Sequence, residues 1–436
     1  MFRLPGLKGQ QGAAKGSLYV GAAFATSGLL TFVFHGYTGR SLGEERYGDF
    51  GVLWTSVFLV AQVLWIGVSQ TLGRYIAERE ARGEDPGPVV SSVKRHTFVL
   101  LGAFLLVSLV ASPLLKGVIF EGDLLLTIAF VAAVVAYAPE YFRRGTFGGH
   151  RQFARLGALH VAESSSRMLI AVVLLFAGTG MVGPAFAVAV APLVGVLAVR
   201  SAPVVDVEPA AREGIGTPFS AAGAFRFAGP VLACVAFAQV LMNGGPILAR
   251  ILGGTSAEIA LLVTALILAR TPQYILSPVI ASLLPHASRA LATEGLRGFD
   301  RFVLRATALV GVVGVLMVGG AWFLGEWAVR LVYGAGFSAE RGLLATLAAL
   351  AAFYLLSETF NQALFALGRG RLAALGWLAG LLASVVCLVV VQTDTIVDGI
   401  AYSLALGAFF AAAAQVVFYR WVRGSTHEVA SSRDRP

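Results

Sequence analysis

Twelve stretches of this chain are each apolar for long enough to cross a lipid bilayer as a helix, and that pattern excludes most other folds. A crossing needs about 20 mostly apolar residues. Such runs occupy residues 17–39, 50–76, 97–115, 124–142, 156–177, 181–199, 225–250, 257–284, 302–324, 342–366, 372–392 and 396–421. Only 13% of the 436 residues are charged, where a soluble domain carries roughly 25%. A chain this apolar cannot cover a water-facing surface, so the bilayer is its main solvent. The first run is too long for the apolar part of a signal peptide and has no convincing small-residue cleavage site, so it is expected to remain as the first spanning helix.

The connections are short and leave no room for a soluble domain. The longest, 200–224, is rich in Pro, Gly and small residues. The expected organisation is a cytoplasmic N-terminal tail (1–16), a six-helix lobe (17–199), a cytoplasmic linker (200–224), a second six-helix lobe (225–422) and a polar, disordered cytoplasmic tail (423–436). With the N-terminus inside, 25 of the 33 Lys and Arg residues fall on the inner side and six on the outer. Cations concentrate in cytoplasmic loops, so this split supports an even number of helices with both tails inside. The net charge of +9 does not indicate a nucleic-acid binder, because the cations are spread over many loops rather than gathered in one patch.

The halves echo one another. Gly149-His150-Arg151-Gln152-Phe153-Ala154-Arg155-Leu156-Gly157 and Gly368-Arg369-Gly370-Arg371-Leu372-Ala373-Ala374-Leu375-Gly376 share Gly, Ala, Leu and Gly at one constant offset. Leu42-Gly43 and Leu252-Gly253 lie at equivalent steps of the two halves. Two halves that both begin inside form a parallel repeat. The expected fold is therefore an all-α membrane protein of about twelve helices, in two lobes around a central cavity.

No catalytic constellation is visible. The six histidines are scattered, no HExxH or GxxxxGK[ST] motif occurs, and no cofactor or metal is expected. Cys234 and Cys387 lie in apolar runs and read as packing residues. Short outer loops count against a membrane glycosyltransferase or polymerase.

The informative residues are polar groups at membrane depth, which are costly there and should face water or a partner. Arg270 lies in a run that also holds Gln273 and three prolines. It reads either as a cavity cation for an anionic headgroup or as the partner of a carboxylate such as Glu358. His160, Glu163, Ser164 and Arg167 follow i, i+3, i+4, i+7 spacing and share one helix face, as a proton- or ion-coupling stripe or as a self-neutralised seam. Glu358, Asn361 and Gln362 share a face of a later run. Asn243 is a cavity group or interhelical hydrogen-bond glue. Glu140, with Arg143 and Arg144 at i+3 and i+4, reads as an interfacial ion pair. His35 and Arg40 close the outer end of the first helix, where Arg40 either snorkels to the headgroups or gates.

Leu42-Gly43-Glu44-Glu45-Arg46-Tyr47-Gly48-Asp49-Phe50-Gly51 resembles the LGxxxYGxF turn of the polysaccharide-biosynthesis (O-antigen) flippases of the MOP superfamily, relatives of the MATE exporters. Gly67 to Glu78 and Asn361 to Arg369 resemble the end of that family's second helix and its tenth helix. The resemblance covers about residues 15 to 422. It implies alternating access between two lobes and a cargo of polyprenyl-diphosphate-linked oligosaccharide, moved from the inner to the outer leaflet of the cytoplasmic membrane. It further implies that Arg270 faces the cavity, and that polysaccharide polymerase and glycosyltransferases act beside the protein. Lipid II flippases usually carry two more helices, so an O-antigen or exopolysaccharide flippase is the nearer match. Multidrug exporters of the superfamily often carry an acidic residue in helix one or seven, and neither run has one here. The competing readings are a cation-coupled drug or metabolite exporter and a non-transporting scaffold of envelope assembly.

Overall fold

The computed structural model of the chain describes residues 7–199 and 221–433. Helices make up the regular structure, and no strand occurs among the described residues. In chain order they are α1 (Leu7–Leu42), α2 (Glu44–Ala81), α3 (Gly87–Val110), α4 (Leu124–Gly149), α5 (Phe153–Phe176), α6 (Val182–Ala198) and α7 (Ala221–Ile251). A continuous stretch, Ser256–Tyr333, is interrupted at Gly295, where φ is +67°, and divides into α8 (256–294) and α9 (296–333). α10 (Arg341–Ala366), α11 (Gly370–Val390) and α12 (Ile396–Arg433) complete the chain.

Each of the twelve apolar runs coincides with one of these helices. Ten described segments are long and apolar enough to cross a membrane. α6 is a shorter apolar helix of 17 residues, within the range that still spans. α8 contains the run at 257–284. The protein is a multi-pass helical membrane protein.

The chain falls into two compact units, Met1–Leu232 and Ala233–Pro436. The division lies inside α7 rather than in the expected linker, most of which (200–220) lies outside the described residues, as does the start of the N-terminal tail (1–6). One expectation needs correction. α1 begins at Leu7, ahead of the first apolar run, and α12 continues to Arg433, through a tail read from the sequence as disordered. Extending an existing helix needs no new nucleus, so residues of ordinary helix propensity follow the helix before them.

Helix starts are chemically marked. The Asp123 carboxylate accepts from Leu126 N–H at 3.1 Å at the head of α4. Thr255 and Glu258 form a reciprocal capping box at the head of α8, which satisfies two otherwise orphaned backbone donors. Gly43 joins α1 to α2 with φ +76°, a conformation that penalises any residue with a Cβ. Four residues on, the fully buried Tyr47 hydroxyl lies 2.8 Å from His35 Nδ1.

Packing relies on small residues, as expected where lipid supplies no hydrophobic drive between helices. Gly145 and Gly149 of α4 press against α2. A Cβ on Gly145 would stand 2.6 Å from Ser69 O and 2.8 Å from Leu72 Cβ. In the second unit Gly376 and Gly380 of α11 do the same against α12, where a Cβ on Gly380 would stand 2.5 Å from Gly407 O. Gly145→Val should therefore lower stability by about 1–3 kcal/mol through overpacking. Gly148→Ala, whose new Cβ meets nothing within 4 Å, should leave it unchanged. Thermal unfolding of the purified protein checks both.

Candidate functional site

In the first unit, α4 and α5 each carry a stripe of polar residues with the same spacing. On α5 these are His160, Glu163, Ser164 and Arg167, all buried. On α4 they are Tyr137, Glu140, Tyr141 and Arg144, the first three buried. The i, i+3, i+4, i+7 pattern puts each set on one face, and the two faces meet. Arg144 donates from Nε and Nη2 to Glu140 Oε1 at 2.9 and 2.5 Å, and its Nη2 also reaches Glu163 Oε2 at 3.4 Å. Arg167 Nη1 pairs with Glu163 Oε1. The Tyr137 hydroxyl donates to that same oxygen at 2.8 Å.

The result is an alternating chain, Arg167–Glu163–Arg144–Glu140, with no net charge. Arg167 also donates from Nη2 to Thr31 of α1 at 3.2 Å and stacks over Trp54, 5.0 Å from the ring centre. Alternation of this kind lets buried charges compensate one another in a low-dielectric interior.

Glu140 forms the expected ion pair, and does so fully buried, at 0% exposure. It pairs with Arg144 only, because Arg143 points elsewhere and donates to the backbone carbonyls of Val196 and Val199 at the end of α6. Adjacent helix positions differ by about 100° in direction, so two consecutive arginines cannot serve one carboxylate equally.

Glu140, His160 and Glu163 each place one potential metal-ligating atom within 4.8 Å of the others. Three of their four carboxylate oxygens already receive guanidinium or phenol donors. A divalent cation there would stand beside two guanidinium groups, so the arrangement favours a self-neutralised seam over a metal centre.

The second unit holds a different chemistry, dominated by amides. Arg270 of α8 is 7% exposed and donates from Nη1 to Asn243 Oδ1 of α7 at 2.9 Å. Asn243 Nδ2 in turn donates to Gln239 Oε1 at 2.5 Å. On α10, Glu358 accepts from Gln362 Nε2 at 2.6 Å and from Asn361 Nδ2 at 3.2 Å. The expected alternative pairing of Arg270 with Glu358 does not occur among the described residues. Tyr354 stands within electrostatic reach of both. Gln273 is half-buried one turn beyond Arg270. Arg40 is exposed at the last turn of α1 and belongs to neither cluster, while its neighbour His35 is fully buried. A separate cavity of about 310 Å³ in the second unit lies among Glu258, Glu326, Arg330, Glu340 and Asp398, and none of the residues singled out from the sequence lines it.

Sequence reasoning missed Tyr137, Tyr141 and Gln239. The α4 signal was available, since its stripe repeats the α5 spacing residue for residue.

Residues 13–291 match the family described as polysaccharide biosynthesis protein. Among curated relatives, the uncharacterized protein Rv3630 of Mycobacterium tuberculosis is 25% identical over 407 residues, covering 89% of this chain and 91% of that protein. A second, Rv1510 of the same species, is 23% identical over 398 residues, covering 88% of each. The fold is similar to an inward-facing multidrug resistance MATE family transporter of the MOP superfamily, with a TM-score of 0.75 at 16% identity over 92% of this chain and 96% of that one. It is also similar to a MOP superfamily transporter from Pyrococcus furiosus, with a TM-score of 0.68 at 14% identity over 94% and 95% of the two chains.

Proposed function

The chain belongs to the polysaccharide biosynthesis protein family, and from that premise we propose that it is a flippase for polyprenyl-diphosphate-linked oligosaccharide, carrying it from the inner to the outer leaflet of the cytoplasmic membrane. Family and fold together make it a membrane transporter. The observation that carries the choice of cargo is the polar stripe of the second unit, where the Arg270 guanidinium is buried beside the amides of Asn243 and Gln239, with Asn361 and Gln362 on α10. A diphosphate and a sugar chain cannot enter hydrocarbon unaided, because their polar atoms would lose every hydrogen bond. A cation suits the diphosphate, and neutral amides offer both donors and acceptors to sugar hydroxyls.

The first unit plays a different part in this reading. Its carboxylates and guanidiniums pair with one another, so His160, Glu163 and Arg167 serve to hold α4, α5 and α1 together while the second unit supplies the headgroup contacts. Polysaccharide polymerase and glycosyltransferases would act on the same lipid before and after it.

A second reading, a cation-coupled exporter of drugs or metabolites, is supported by the MATE-like fold. Against it, neither α1 nor α7 contains an Asp or Glu. The two separate in proteoliposomes loaded with a fluorescent polyprenyl-diphosphate glycan or with a cationic dye. Protein-dependent movement of the glycolipid between leaflets, with no dye efflux, is the expected result. Dye efflux without glycolipid movement would reverse the assignment.

A further inference from the structure

α9 carries Arg297, Arg301 and Arg305 at successive four-residue steps, so the three share one face. All are exposed, and none makes a hydrogen bond or ion pair among the described residues. Asp300, the acidic residue within this stretch, is engaged elsewhere. It accepts from the Tyr419 hydroxyl and from Arg423 Nε, both at 2.6 Å. Among the described residues, therefore, no carboxylate is bonded to any of the three arginines, although the exposed Glu294 lies one turn before Arg297.

The same face continues as apolar surface. Leu304 and Val315 are 68% and 73% exposed, and they lie close to whole numbers of helical turns beyond Arg297. Farther along, Trp322 and Trp327 are 46% and 64% exposed, and exposed tryptophans mark a membrane–water interface. From Arg305 to Trp327 the helix rises roughly 33 Å, close to the ~30 Å thickness of the hydrocarbon core. Arg305 thus stands at the opposite hydrocarbon boundary. Arg301 and Arg297 stand roughly 6 and 12 Å farther out, at and just beyond a headgroup layer about 5–8 Å deep.

Snorkelling accounts for one arginine at such a boundary. It does not account for three stacked in line with no ion-pair partner among the described residues. We infer that this face of α9 is a binding site for an anionic diacyl phospholipid, whose phosphate lies between Arg301 and Arg305 and whose acyl chains run from there along the apolar stripe that includes Val315. Bulk phospholipid fits better than a transported glycolipid, because the face opens onto the bilayer, where phospholipid is in large excess. The site is independent of the cargo proposed above.

Spin-labelled phosphatidylglycerol and phosphatidylcholine, compared as boundary lipids of the full-length protein in phosphatidylcholine nanodiscs, test it. The native protein should prefer phosphatidylglycerol severalfold. Each Arg→Gln change at 297, 301 or 305 should reduce the preference by up to about fivefold, and the triple variant should show none. The triple Arg→Lys variant should keep it. An unchanged preference in the triple Gln variant overturns the inference. So does displacement of the labelled phosphatidylglycerol by an equimolar amount of polyprenyl diphosphate, which would make the face a cargo entrance. Should the triple Gln variant fail to fold, the native protein decides: its preference must collapse between 0.1 and 1 M salt, as the screening length falls from about 10 to about 3 Å. A salt-insensitive preference overturns the inference equally. Glycolipid movement in the proteoliposome assay is read separately, so failure of one proposal leaves the other standing.

Discussion

Arg144→Ala should destabilise the protein by about 3–5 kcal/mol, the usual result of removing one partner from a buried ion pair. Arg144 is the middle link of the charge chain, touching both Glu140 and Glu163. Without it, two buried carboxylates face one remaining guanidinium, that of Arg167. Adding Glu140→Gln should recover much of the loss, because Glu163 and Arg167 still balance. The amide can also donate a hydrogen bond where the carboxylate could only accept. Thermal unfolding of the purified single and double variants measures both effects. A single variant as stable as the native protein would mean that the chain of charges contributes nothing.

Arg270→Ala should reduce glycolipid translocation by about ten- to a hundredfold, the loss expected for one charge-assisted hydrogen bond of roughly 1.5–3 kcal/mol. Membrane insertion should persist. Arg270→Lys should retain part of the rate, since it keeps the charge but loses the planar fork that matches phosphate. Asn243→Ala should fall between them, because Asn243 Oδ1 orients the guanidinium. Translocation in proteoliposomes, normalised to inserted protein, gives the comparison. Native rates in Arg270→Ala would remove this residue from the headgroup site.

The membrane class was legible because length and apolarity speak directly: each run is about as long as a bilayer crossing requires, whatever its neighbours do. The α5 stripe was legible for a similar reason, since spacing alone puts Glu163 and Arg167 within reach of one another. What was not legible is which helix packs on which. The spacing offered Glu140 two partners, Arg143 at i+3 and Arg144 at i+4. Only the packing of α4 against α5 and α6 shows Arg144 turned inward and Arg143 turned to the carbonyls of Val196 and Val199. Arg270 presented the same ambiguity. Its choice of Asn243 over Glu358 depends on how α7, α8 and α10 pack, which no one-dimensional pattern records. The helical C-terminal tail to Arg433 was missed because a polar sequence marks the edge of the bilayer and not the end of a helix.

The charge chain also bears on how the protein is made. Each of its two helices carries an acid and a base one turn apart, Glu140 with Arg144 on α4 and Glu163 with Arg167 on α5. A nascent helix leaving the translocon can therefore enter lipid with its charge already neutralised along its own axis. The cross-helix contact from Arg144 to Glu163 needs only to lock two segments that have each been inserted. Separating either pair onto different helices would preserve the balance of the finished protein and yet expose a lone charge to lipid during biogenesis.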